Sequence, residues 1–193
     1  MERKVEIKRI TKETEILLRI NYDGSGNNKI STGIGFFDHM LQQISVHGKF
    51  DIDIEAKGDL FVDDHHTIED VGIVLGQSLI KAIGDKKGIN RYGYFILPMD
   101  DALILESIDI CGRPYLNFDV KFIQSSIGTL NTQMIIEFFK AFVNTSGVTL
   151  HITKLYGYND HHVCEAIFKA FAKVLNIATR VTSNDIPSSK GVL

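Results

Sequence analysis

Asp64-His65-His66-Thr67-Ile68-Glu69 and Asp160-His161-His162-Val163-Cys164-Glu165 spell one pattern, D-H-H-x-x-E, twice in a chain of 193 residues. An apolar series at helical spacing follows each copy: Val71, Val74, Leu75 and Leu79 after the first, Ile167, Phe168, Phe171 and Leu175 after the second. Residues recurring at such intervals line one side of a helix. Each motif is therefore expected to open a helix, with Asp64 and Asp160 placed to cap free amides. On that helix His65 and Glu69 share a face, and so do His66 and Glu69. Adjacent histidines project about 100° apart, so one ion can hardly be gripped by both. Each histidine of a pair is expected to serve a different metal, and each motif to supply half of each of two sites. A lone histidine is more often a hydrogen-bonded structural residue. The repetition of the whole set at identical spacing favours metal binding instead.

The sequence around the motifs repeats as well. Val5 to Asn21 alternates and meets the turn Asp23-Gly24-Ser25-Gly26, which reads as a hairpin whose return strand opens at Ile30 to Thr32. Phe36, Phe37, Met40, Leu41 and Ile44 predict a helix over Ile34 to Val46, stopped by Gly48. Phe50 to Ala56 alternates as a half-buried strand, Gly58-Asp59 turns the chain, and the first motif helix runs to Gly84. Beyond a seam at Lys86-Lys87-Gly88 the order returns. A hairpin within Tyr94 to Val120 is expected to turn at Cys111-Gly112-Arg113-Pro114. A helix over Met134 to Val143, a strand over Val148 to Ile152 and the second motif helix, to about Ala178, complete the repeat. Both halves, 1–87 and 88–193, thus carry a ββ-α-β-α order. This predicts an internally duplicated α+β protein in which sheets pack with helices.

Aligning the halves sets His39 opposite Glu137 and Glu13 opposite Asp101. The candidate metal ligands are His39, His65, His66, Glu69, Glu137, His161, His162 and Glu165. Imidazole and carboxylate without thiolate point to a borderline divalent ion such as Mn, Fe or Zn. Four protein ligands per six-coordinate ion would leave two positions for a bidentate substrate. Cys164 has Ile68 as its counterpart and reads as a small buried hydrophobe.

Composition narrows the class. The chain is 44% hydrophobic and 23% charged with a formal net charge of −3, and no basic run suggests nucleic acid. No apolar stretch approaches the roughly 20 residues of a membrane span. Met1-Glu2-Arg3-Lys4 leads into alternating sequence rather than a signal peptide. Two cysteines make no disulfide framework, so a cytoplasmic location is expected.

Phe37-Asp38-His39-Met40-Leu41, the D-D-H-H-T of Asp63 to Thr67, Gly112-Arg113-Pro114-Tyr115, the second D-H-H-x-x-E and the tail Ile186-Pro187-Ser188-Ser189-Lys190-Gly191 occur in an order that resembles the imidazoleglycerol-phosphate dehydratases of histidine biosynthesis. The resemblance covers essentially the whole chain. It implies a ribosomal-S5-domain-2-like fold, two Mn ions per active site, and a homo-oligomer of 24 subunits in octahedral symmetry with sites at subunit interfaces. It places metal ligands at His39, His65, His66, Glu69, His161, His162 and Glu165. Glu137 stands where many relatives carry His, so it either binds the metal as a harder, charged ligand or lies outside the ligand set. Substrate contacts are implied at Glu13, His39, His47, His65, Glu69 and His161. Arg91, Arg113, Lys169, Ser188, Ser189 and Lys190 match positions that hold the substrate phosphate, where arginine forks and lysine charges suit phosphate oxygens.

The implied reaction removes water from imidazole glycerol phosphate, a small phosphorylated imidazole, to give imidazole acetol phosphate through a metal-bound imidazolate. Glu13 is the expected proton carrier, with Asp100, Asp101 or His47 assisting. Two other readings stay open on the residues alone. A metal-storage protein would use the same ligands but would not need the Arg91, Arg113, Lys169 and Lys190 cations. A dinuclear phosphoester hydrolase would release inorganic phosphate.

Overall fold

The computed structural model describes residues 3–191 and 193. Met1 and Glu2, at the head of the segment read as lacking a signal peptide, lie outside the described residues. The first half runs β1 (Lys4–Ile10), β2 (Thr14–Asn21), β3 (Asn28–Ser31), α1 (Gly35–Gly48), β4 (Asp51–Gly58) and α2 (His65–Ile83). The second runs β5 (Tyr92–Met99), β6 (Ala102–Asp109), β7 (Tyr115–Asp119), a short ribbon of β8 (Ser126–Ile127) and β9 (Leu130–Asn131), α3 (Gln133–Ser146), β10 (Thr149–Tyr156) and α4 (Asp160–Thr179). The two large sheets have the same order, β1-β2-β4-β3 and β5-β6-β10-β7. The duplicated α+β fold is thus present, with one more strand in each large sheet ahead of the first helix than the hairpin reading gives, and the β8–β9 ribbon besides in the second half.

Alternation turns one face of each sheet inward. Ile16, Leu18, Ile20, Ile52 and Ile54 are buried in the first sheet, and Ala102, Ile104, Ile108, Leu150 and Ile152 in the second. Helix α2 covers β1 and β2, α4 covers β5 and β6, and the helices pair across the halves as α1 with α4 and α2 with α3. Phenylalanines fill the seam: the Phe138 ring lies 5.6 Å from Phe37, 5.0 Å from Phe139 and 5.3 Å from Phe168. Fully burying one such side chain is worth about 1.5–3 kcal/mol, so neither half is expected to keep its core without the other. The α2–α3 approach is close because Gly72 has no side chain. A Cβ there would stand 2.6 Å from the Phe138 carbonyl oxygen.

The hairpins turn elsewhere than expected. Strand β1 pairs antiparallel with β2 across Thr11-Lys12-Glu13, where the Thr11 hydroxyl oxygen accepts the amide N–H of Glu13 and Thr14 at 3.0 and 2.9 Å. The Asp23–Gly26 segment is a crossover, and β3 after it pairs parallel with β4. Asp51 holds this segment by accepting the amide N–H of Ser25, Gly26 and Asn27 at 3.0–3.2 Å. In the second half the hairpin turns at Asp100-Asp101, with Met99 opposite Ala102. Cys111–Pro114 leads into β7, which runs parallel to β10. Helix α1 begins one residue later and ends two later than expected, closed by Lys49 in the left-handed region at φ 59°.

The motif aspartates do not cap their helices. Asp64 makes no capping bond. Its neighbour Asp63 accepts the His65 amide N–H at 2.8 Å, and Asn159 accepts that of His161 at 3.0 Å. Asp160 turns back to accept the amide N–H of Ile123 and Gln124. Among the described residues no helix is long and apolar enough to cross a membrane.

Candidate metal centre

Helices α1 and α4 lie side by side with Met40 Sδ 3.6 Å from Cys164 Sγ. Cys164 is fully buried and its thiol is pushed well up by burial, as suits a core residue rather than a thiolate ligand. That contact brings the residues beside it together. His39 Nε2 lies 3.9 Å and His161 Nε2 3.4 Å from Glu165 Oε2, and the three donor atoms fall within 4.8 Å of one another. The Phe36 ring meets the His161 ring edge-on at 5.1 Å. His39 comes from the first half and His161 and Glu165 from the second, so the group draws on both halves but takes nothing from the first motif, whereas the split-motif reading expects half of each site from each copy. Two neutral-capable imidazoles and a carboxylate suit a divalent ion of the Mn, Fe or Zn kind.

Glu165 has a second partner: Lys169 Nζ lies 2.5 Å from its Oε1. Burial pushes the Glu165 carboxyl up, but Lys169, then His39 and His161, outweigh it and leave the group below its usual range. His47, in the last turn of α1, is pushed down by burial and then by Lys169 and Lys173. Lys169 is thus near the three-donor group.

Helix α2 repeats part of this arrangement. His65 Nε2 lies 3.6 Å from Glu69 Oε2, matching His161 and Glu165 on α4. The counterpart of His39 is Glu137 on α3, whose carboxylate accepts from Lys140 at 2.7 Å. Among the described residues no three-donor group includes Glu137. The second histidine of each motif faces away from these groups. His66 Nδ1 meets Asp59 at 3.0 Å, while its Nε2 is 3.9 Å from Glu13. His162 Nδ1 meets Asp101 at 2.6 Å, while its Nε2 is 3.6 Å from Asp100.

Asp101 has a different employment from the acid–base role expected of it. It accepts the amide N–H of Asn159 and Tyr158 at 2.9 and 2.6 Å as well as meeting His162. The Asn159 N–H, then the His162 imidazole and the Tyr158 N–H, hold its carboxyl well below the usual carboxylate range. A carboxylate so committed is a poor proton carrier at neutral pH. Asp59 was legible only as part of a turn after Gly58.

The phosphate candidates divide. Arg91 grips Asp109 with Nε and one terminal nitrogen at 2.7 and 3.1 Å, and its other terminal nitrogen donates to the Pro187 carbonyl at 3.0 Å. It thereby ties down the tail that carries Ser188, Ser189 and Lys190. Arg113 is largely exposed, 4.0 Å from Asp109. The Arg91 amide N–H bonds to the Ala178 carbonyl near the end of α4. Glu165 stands thirteen residues earlier on that helix, about 20 Å away at about 1.5 Å per residue. Within one chain, Arg91, Arg113 and the tail are remote from the three-donor group, and only Lys169 adjoins it. A concavity of about 620 Å³ lies against the first sheet between Val5, Arg19 and Ile52 and is lined by none of the candidate residues.

A family model described as imidazoleglycerol-phosphate dehydratase matches residues 32–175. An imidazoleglycerol-phosphate dehydratase of Caldicellulosiruptor saccharolyticus is 64% identical over 188 residues, covering 97% of each chain. One of Clostridioides difficile is 55% identical, covering 97% of this chain and 98% of that relative. The crystal structure of the Staphylococcus aureus enzyme superposes with a TM-score of 0.84 at 41% identity, over 93% of this chain and 99% of that one. The corresponding structure from Pyrococcus furiosus gives 0.85 at 37% identity, over 97% and 100%.

Proposed function

The chain belongs to the imidazoleglycerol-phosphate dehydratase family, and from that premise we propose that it dehydrates imidazole glycerol phosphate to imidazole acetol phosphate in histidine biosynthesis, using two Mn ions per site. The observation that carries the metal part is the convergence of His39, His161 and Glu165 within 4.8 Å. His65, His66, Glu69 and His162 complete the ligand set, with Glu137 as an eighth ligand if Lys140 releases it. Bound there, divalent ions supply Lewis acidity toward the substrate ring and hydroxyls, which makes a carbon-bound proton beside the imidazole removable.

The remaining work falls to the chain. Glu13 sits at the β1–β2 turn with a half-exposed carboxylate whose approach to His66 is 3.9 Å. It takes the proton from carbon and returns one to the departing hydroxyl, a role typically worth about 10²- to 10⁴-fold. His47, whose imidazole is pushed down by burial and then by Lys169 and Lys173, can exchange hydrogen bonds with substrate beside Lys169. Arg113, Lys190, Ser188 and Ser189 bind the phosphate, and Arg91 orders their tail through the Pro187 carbonyl.

Separation of about 20 Å along α4 is farther than a small phosphorylated imidazole can reach. We therefore assign the metal end and the phosphate end of one active site to different copies of the chain, in keeping with the 24-subunit assembly implied by resemblance. Two buried, unpaired cysteines agree with a reducing cytoplasm.

The test is turnover by metal-stripped protein before and after Mn is restored, following keto product and free phosphate together. Product that appears only with Mn, without phosphate, supports the proposal. Release of inorganic phosphate would move the reaction to phosphoester hydrolysis.

A further inference from the structure

Duplication lets one half serve as a control for the other. In both halves the second motif histidine offers Nδ1 to a carboxylate, Asp59 for His66 and Asp101 for His162. The two carboxylates are not counterparts of each other. Asp59 follows β4, and with the bulge at Lys154/Tyr156 in β10 allowed for, Gly58 stands opposite Gly157 and Asp59 opposite Tyr158, which has no carboxylate to offer. Asp101 lies in the β5–β6 turn, and its counterpart in the β1–β2 turn is Glu13. One task, fixing an imidazole from behind, is thus done from two unrelated places.

We propose that Asp59 and Asp101 are positioning residues that keep the proton of His66 and His162 on Nδ1 and so present Nε2 as the lone-pair donor. We also propose that Asp59, by taking this task in the first half, leaves Glu13 uncommitted. The physical reason is the coupling of the two ring nitrogens. A carboxylate can only accept, so it fixes the hydrogen on the nitrogen it faces and leaves the other bare. A ring held in this way is oriented and more basic as a ligand. In the second half this task absorbs the turn carboxylate: Asp101 is bound by His162 and by two amides. In the first half the Glu13 side chain has, among the described residues, only the 3.9 Å approach to His66 Nε2. The duplicated hairpins therefore differ in use, one turn holding a ligand and the other left for proton transfer.

This inference rests on the metal reading above for its purpose, but its geometry can be tested without metal. The experiment is solid-state ¹⁵N spectroscopy of histidine-labelled, metal-free, full-length protein at a pH where the imidazoles are neutral. Wild type is compared with Asp59→Asn and Asp101→Asn. An asparagine can donate to Nδ1 and so admits the opposite tautomer, in which Glu13 can accept from His66 Nε2. Each variant is expected to move one histidine from the Nδ1–H to the Nε2–H signature. Mn affinity, read by electron paramagnetic resonance titration, is expected to fall about 10- to 100-fold, while Glu13→Gln leaves it unchanged. Asp59→Asn is the decisive variant, because among the described residues the Asp59 side chain bonds only His66 and its loss does not free the Tyr158 and Asn159 amides. Unchanged tautomers in Asp59→Asn would overturn the proposal. Changed tautomers in a protein whose wild type takes up no Mn would uphold it and defeat the metal reading alone.

Discussion

Replacing Glu106 by leucine should stabilise the protein, increasingly so as pH rises. Glu106 lies on the inward face of β6, fully buried, and neither carboxylate oxygen has a hydrogen-bond partner among the described residues. Its counterpart in the first half is Leu18, also fully buried, so the duplicated architecture already accepts leucine at this place. Leaving a polar group buried and unpaired costs about 1–3 kcal/mol, which sets the gain expected at acidic pH. Burial also pushes the carboxyl well above its ordinary value of 4.5. The folded chain therefore retains a proton that the unfolded chain releases. With more protons bound in the folded state, stability falls as pH rises, by about 1.4 kcal/mol per unit between 4.5 and the raised folded value. Glu106→Leu removes that slope. The assay is urea unfolding of both proteins across a pH series at one protein concentration, since association contributes to apparent stability. A variant less stable than wild type, or a gain that does not change with pH, would refute the reasoning.

Three further outcomes concern activity and packing. Glu13→Gln should lower turnover by at least 10²-fold with bound Mn unchanged; a loss under about tenfold would remove Glu13 as proton carrier. Arg113→Ala should act mainly on KM, since a phosphate grip contributes to substrate and transition state alike. A wild-type KM in that variant would mean Arg113 does not touch the phosphate. Gly72→Ala should cost about 1–3 kcal/mol, as overpacking does, because its Cβ would stand 2.6 Å from the Phe138 carbonyl oxygen. Unchanged thermal unfolding would show that α2 and α3 can move apart freely.

What could be read from the sequence was whatever is periodic or repeated. The four helices, the strands β4 and β10 and the twofold duplication follow from apolar spacing and from two copies of one motif, but the crossing of His39 to the second motif does not, because aligning the halves sets His39 only against Glu137. The hairpin turns were missed because Thr11-Lys12-Glu13 contains no glycine, proline or asparagine and turns by way of the Thr11 hydroxyl. The glycine-rich Asp23–Gly26 segment gave a true turn but not its pairing, since parallel or antiparallel register depends on where the next strand docks. Asp59 and Asp101 carried no local signal of their partnerships with His66 and His162, because Asp101 and His162 are sixty-one residues apart. Likewise, no pattern in Arg91 or Arg113 shows that they sit at the far end of α4 from His161. Glu106 was hidden by the alternation around it, which predicts burial for that position without asking what a carboxylate would do there.

Lys169 apart, the metal groups and the phosphate groups of Arg113 and the tail should meet only between copies of the chain. Mixing His161→Ala protein with Arg113→Ala protein, after dissociation and reassembly at equal amounts, tests it directly. If each site takes its metal end from one copy and its phosphate end from another, random assembly makes about one site in four wholly wild type. Recovered kcat/KM should then approach about a quarter of the wild-type value, well above either parent. Activity no greater than the average of the two parents would place both ends in a single chain and contradict the account.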